Sequence, residues 1–99
     1  MNGFNLQWTE EILSNVSRMA GAAFSIEEIA EVLEIEPSII KLTYMDKESQ
    51  FYKAYRKGFL ARELELRERI FKDARNGSSP AQAQALKLLE QAKISIFLQ

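Results

Sequence analysis

Residues 25–42, SIEEIAEVLEIEPSIIKL, decide how the rest of the chain is read. Ser25 and Glu28 form an S-x-x-E capping box, in which the hydroxyl accepts the N–H of Glu28 and the carboxylate accepts that of Ser25. Phe24 and Ile29 occupy the two positions of a hydrophobic staple, so a helix starts at Ile26. Ile26, Ile29, Ala30 and Leu33 recur at three- and four-residue steps and share its buried face, with Glu27, Glu28, Glu31 and Glu34 turned outward. A turn at Glu34-Ile35-Glu36 follows, and Pro37 stands at a favoured first helical position ahead of SIIKLTYM. A capped helix carrying I-A-x-x-L, a three-residue turn and a second helix anchored by Ile35 and by Ile39 or Ile40 have the helix-turn-helix layout. That layout offers the second helix to a major groove. A three-helix packing unit that touches no nucleic acid would use the same spacing.

Upstream, Thr9 can cap a first helix whose shared face is Ile12, Val16, Met19, Ala20 and Ala23, with Gly21 weakening its end. Trp8 and Phe4 are expected to close the core. Downstream, Asp46 is the expected cap of a long fourth helix that stops at Asn76-Gly77. At about 100° per residue this helix has two apolar stripes, Tyr52, Tyr55, Phe59, Leu66 and Ile70 on one and Leu60, Leu64, Phe71 and Ala74 on the other. Gly58 between them either permits a close helix approach or is a tolerated interior glycine.

A last helix starts at Ser79-Pro80-Ala81-Gln82, read as a second capping box, and places Ala81, Ala85, Leu88, Leu89, Ala92 and Ile96 on one face. The short NGSSP connection turns it back antiparallel. Its opposite side carries Ala83, Leu86, Ile94 and Phe97, more apolar surface than a two-helix contact buries. Oligomerisation is therefore expected through Leu60, Leu64, Phe71, Leu86, Ile94 and Phe97. The expected fold is all-α: a three-helix helix-turn-helix unit over residues 1–48, then a long-helix antiparallel hairpin over residues 49–99.

Composition narrows the function classes. The chain has 99 residues, 46% of them hydrophobic and 27% charged, which suits one compact domain or a small domain with a helical arm. Cysteine and histidine are both absent. Disulfides and thiolate sites are thereby excluded, and the side chain best suited to proton transfer near neutral pH is missing, so no enzyme, cofactor or metal site is expected. The carboxylates at 27, 28, 31 and 34 read as a solvated helix surface rather than a hard-metal site. No apolar run approaches the roughly 20 residues that span a bilayer, and MNGFNLQWTEE lacks a basic segment followed by an apolar one. A soluble, cytoplasmic protein is the expectation.

Charge is polarised. Residues 1–50 carry three basic and nine acidic side chains, net −6, and residues 51–99 carry ten and five, net +5. The second helix of the motif offers Lys41 and the adjoining Lys47 as cations, with Ser38, Thr43 and Tyr44 as neutral hydrogen-bonding groups. Eight cations against four acids lie between 53 and 75. Lys53, Arg56 and Lys57, nearest the motif and beside Tyr52 and Tyr55, are the candidates there for a nucleic-acid track. The competing reading is a solvated helix with Glu63 paired to Arg67 and Glu65 to Arg69.

Three further stretches complete a pattern: Phe51-x-x-Ala54-x-x-x-Gly58 on the long helix, Ala74-x-x-Gly77 at its end, and an Ala-rich return helix. With the motif at 25–42 they resemble the small terminase subunit of tailed bacteriophages over roughly residues 12–92. The resemblance implies recognition of double-stranded viral DNA at genome packaging, a homo-oligomer built as a ring by the hairpin, and delivery of DNA to a large subunit with ATPase and nuclease activity. The chain departs from that pattern at Glu34, where the family carries a glycine, and in the acidity of its first motif helix. A small transcriptional regulator using the same helix-turn-helix as a dimer is the alternative. A protein whose acidic N-terminal part docks on a basic partner is a third class.

Overall fold

Side-chain caps start four of the five helices. The computed structural model describes residues 7–98, so Phe4 lies outside the described residues. The Thr9 hydroxyl accepts the Ile12 N–H at 3.2 Å and opens α1, Glu10–Gly21. At α2, Ile26–Leu33, both halves of the expected capping box form: the Glu28 N–H donates to the Ser25 hydroxyl at 3.1 Å, and the Ser25 N–H donates to the Glu28 carboxylate at 2.8 Å. Pro37 begins α3, Pro37–Met45, with no side-chain cap. Two long helices follow, α4, Gln50–Arg75, and α5, Ser79–Phe97. Among the described residues the secondary structure is entirely helical.

Two starts differ from the expectation by one to three residues. Asp46 does not cap α4. It ends α3 and accepts the Glu48 N–H at 3.0 Å, while the Ser49 hydroxyl caps α4 by accepting the Tyr52 N–H at 3.0 Å. The same hydroxyl donates to the Thr43 carbonyl at 2.8 Å and so ties the two helices together. At α5 the cap is Ser78, whose hydroxyl accepts the Ala81 N–H at 3.3 Å, with Ser79 and Pro80 inside the first turn. The Gln82 amide, expected to complete a box there, donates instead to the Ala74 carbonyl at 3.1 Å.

One stop motif is used three times. The Phe24 N–H reaches the Met19 carbonyl, that of Ile35 reaches Ala30, and that of Ser78 reaches Asp73, each across five residues and at 2.9–3.1 Å. In each case the preceding residue is left-handed: Ala23 at φ 68°, Glu34 at 58° and Gly77 at 97°. This is the Schellman arrangement, and only Gly77 adopts it without a Cβ clash. Gly21 is the last residue of α1. An added Cβ there would sit 3.3 Å from the Gly58 carbonyl oxygen.

The chain divides into two compact units, residues 1–62 and 63–99. The division falls inside α4, beyond the expected boundary at 48/49, because the first turns of α4 belong to the first unit's core. Val16, Ile29, Ala30, Ile40 and Phe51 form that core, with Trp8, Ile12, Leu33, Ile35, Tyr44, Ala54 and Tyr55 packed around it. Phe51 is the largest of the fully buried side chains, and burying such a ring is worth about 3–5 kcal/mol against alanine. Within this unit α2 and α3 pack directly on one another. In the second unit the buried residues are Ala81 and Ala85.

Candidate functional site

The polar candidates on α3 have different fates. Ser38 is exposed. Lys41 is exposed but bonds the Glu27 carboxylate at 3.0 Å, and that hydrogen bond, together with the charge behind it, holds Glu27 below the ordinary carboxylate range. The Thr43 hydroxyl donates back to the Ile39 carbonyl at 2.8 Å within its own helix. Tyr44 is half-buried in an aromatic cluster, its ring centroid 5.0 Å from Tyr52, 5.4 Å from Tyr55 and 6.5 Å from Phe51. Tyr44 therefore packs α3 onto α4. The outward face of α3 carries Ser38, Leu42 and Met45, at i, i+4 and i+7. Leu42 and Met45 were not singled out from the sequence because the apolar periodicity of so short a helix does not distinguish an outward leucine from an inward one.

Phe51-x-x-Ala54-x-x-x-Gly58 is a packing motif. These positions share one face of α4. Phe51 fills the core, the Ala54 carbonyl accepts the Ser17 hydroxyl of α1 at 2.8 Å, and Gly58 lies against the Ser17 main chain, where a Cβ would overlap the carbonyl oxygen. Gly58 thus serves a close helix approach. Arg62, one turn on, donates to the Gly21 carbonyl at 2.8 Å and caps the end of α1. Ala74-x-x-Gly77 is a turn motif: the Ala74 carbonyl takes both the Gly77 N–H and the Gln82 amide. The signatures behind the resemblance thus hold helices together and close a turn.

Among the α4 candidates, Lys53 bonds Glu48 at 3.6 Å, and the Arg56 guanidinium lies 5.6 Å from the Phe59 ring centroid. Lys57, and Lys47 in the connection before α4, are exposed with no ion pair among the described residues. Farther along, Glu63 bonds Arg67 at 3.0 Å as expected, and Arg69 bonds Asp73 at 3.2 Å. Both contacts are exposed helix pairs of the kind worth about 0.3–0.5 kcal/mol. The cations of α4 therefore do not form one continuous basic track. Of the DNA-binding candidates, Lys47 and Lys57 are exposed without an ion pair among the described residues, as are Lys72 and Arg75 farther along α4.

Of the apolar candidates for self-contact, Leu60, Leu64, Leu86, Ile94 and Phe97 are exposed and Phe71 is half-buried. Leu66, Leu89, Ile96 and Leu98 join them, and every described residue from Gln91 onward is exposed, Phe97 by 87%. On α5 these side chains lie apart from a polar side of Gln84, Lys87, Gln91 and Ser95, which stand at i, i+3, i+7 and i+11.

A shallow cleft in the first unit is lined by Trp8, Ile12, Leu33 and Ile35, with Gln7 and Glu34 at its margin and no pair of groups placed for acid–base work. Among the described residues no three carboxylates converge as a metal site would require, and no helix is long and apolar enough to cross a membrane. No family model, no curated protein and no solved structure matches the chain.

Proposed function

We propose that this chain is a non-enzymatic, self-assembling DNA-packaging protein of the small-terminase kind. Residues 25–45 act as a helix-turn-helix. The unit bearing it meets duplex DNA through phosphate contacts from Lys47 and Lys57, with Lys53 and Arg56 beside them. The end of α4 and α5 act as a hairpin that joins copies into a ring, and the assembly hands DNA to a large ATPase and nuclease subunit in the host cytoplasm. The observation that carries the assembly half is the second unit's imbalance: its buried residues are two alanines, while α5 alone exposes Leu86, Leu89, Ile94, Ile96 and Phe97. Exposed apolar surface on that scale marks a contact site. The lack of histidine and cysteine supports the non-enzymatic reading.

Mass in solution, by native mass spectrometry or light scattering, tests assembly. A ring gives a large closed oligomer, a dimer turns the reading toward a two-fold transcriptional regulator, and a monomer at all concentrations refutes it. Duplex binding followed against salt tests the DNA half. Affinity should fall steeply as salt rises, and Lys47→Glu with Lys57→Glu should weaken binding and flatten the salt slope. An intact oligomer that ignores duplex DNA at low salt excludes direct recognition.

A further inference from the structure

We infer that α5 pairs antiparallel with α5 of a second copy of this chain, in the register that sets Glu90 of each copy against Lys93 of the other. This pairing rests on the self-assembly proposed above and adds which helices meet and how they align. Ala83, Leu86, Glu90, Lys93 and Phe97 follow one another at alternating three- and four-residue steps, the spacing of a helix seam, and all five are exposed. They share the side of α5 turned away from the buried Ala81 and Ala85. Leu86 and Phe97 are 58% and 87% exposed, and Ile94, at 58%, borders the seam beside Glu90 and Phe97. Glu90 and Lys93 have no ion-pair partner among the described residues. Lys87, the one other charge of α5, stands on the polar side with Gln84, Gln91 and Ser95.

Charge decides both direction and register. A parallel pair in step sets Glu90 on Glu90 and Lys93 on Lys93, and like charges face to face oppose pairing. An antiparallel pair with its two-fold axis at Glu90 repeats the first of these clashes. With the axis between Leu88 and Leu89, Glu90 lies level with Lys87, but Lys87 is off the seam and Phe97 falls at the level of Pro80. With the axis between Gln91 and Ala92, Glu90 lies level with Lys93 of the second copy at both symmetry-related places, and Leu86 lies level with Phe97. One register therefore matches sign and apolarity together. Lys87 then falls near Ile94 of the second copy, where its alkyl stem can cover the isoleucine while the ammonium stays in water. The charged layer inside an apolar seam costs some stability and specifies the alignment. Such a contact is isologous and alone stops at two copies, so a ring needs a further surface.

Charge reversal tests the register. Glu90→Lys and Lys93→Glu each place like charges across the seam and should weaken self-association, followed by sedimentation, roughly tenfold or more. Mixed one to one, the two variants should pair with each other as the natural chain pairs with itself, and a chain carrying both substitutions should self-associate again. Cross-linking tests the direction, and the natural chain contains no cysteine to give a background. Leu86→Cys mixed with Phe97→Cys and oxidised should yield a disulfide-linked pair. Either preparation alone should yield roughly tenfold less, because equivalent positions of the two copies stand about 16 Å apart along the axis, beyond the reach of a disulfide. An oligomer that ignores the charge reversals, or one that links Phe97→Cys copies only to each other, overturns the inference and leaves self-assembly standing. A natural chain that stays monomeric at all concentrations removes the self-assembly beneath it. The cysteine arm carries the test if a charge-reversed chain fails to fold.

Discussion

Gly58 of α4 lies so close to Ser17 of α1 that a single added carbon would overlap the Ser17 carbonyl oxygen. The neighbours of that carbon are main-chain atoms, which cannot swing aside as a side chain does. Gly58→Ala gains about 1 kcal/mol of helix propensity and still should lose stability, by about 2 kcal/mol net, because α1 and α4 must separate. Urea denaturation of the two proteins measures it. An unchanged midpoint would mean that the two helices do not pack as described.

Glu34 holds a left-handed conformation at φ 58°, which costs a residue with a Cβ about 1–2 kcal/mol. Its side chain makes no hydrogen bond or ion pair among the described residues that would offset this. Glu34→Gly should therefore stabilise the protein by about 1 kcal/mol and raise the melting temperature. A loss of stability would show that the turn between α2 and α3 is not closed by the Ile35 to Ala30 bond.

Ser49 and Asp46 can be separated by substitution. The Ser49 hydroxyl serves both Tyr52 and Thr43, whereas Asp46 serves the Glu48 N–H in an exposed turn. Ser49→Ala should cost about 1–2 kcal/mol and Asp46→Ala only a few tenths, about 0.3 kcal/mol. Thermal melts followed by circular dichroism would detect the difference, and equal costs would reinstate Asp46 as a cap.

Tyr55 donates its hydroxyl to the Phe24 carbonyl at 3.0 Å, and partial burial raises its ionisation above the ordinary tyrosine value. The folded pKa exceeds the unfolded one, so the contribution is whole below the unfolded value and is lost as pH rises through the folded value. Absorbance titration should find a tyrosine component ionising above the ordinary tyrosine value. Tyr55→Phe should abolish that component, cost about 0.5 kcal/mol at neutral pH and make the alkaline loss of stability shallower.

The features legible in the sequence were those written in neighbouring residues. The Ser25 and Glu28 box, Pro37 at the start of α3, the Thr9 cap and the Asn76-Gly77 stop each depend on groups within five positions, and the all-helical character follows from them together. Ser49 was missed because Asp46 has equal standing as a cap until the path of the turn is known. Contacts across the unit were beyond periodicity. Nothing local to Phe51 distinguishes it as the largest buried side chain, and nothing local to Gly58 points to Ser17, 41 residues earlier. The candidate site suffered most, since Lys41 is neutralised by Glu27 on another helix and Tyr44 is drawn inward by three rings of α4.

Ala81 and Ala85 are the buried side chains of the second unit, and Ile70, Phe71, Ala74 and Leu88 are only partly buried. At about 25 cal/mol per Å² they supply little of what ordering a nineteen-residue helix requires. If copies assemble through α5 as proposed, dilution acts as a denaturant on that half of the molecule. By mass action α5 should melt at a temperature that climbs with protein concentration, while the half built around Phe51 melts at its own fixed point.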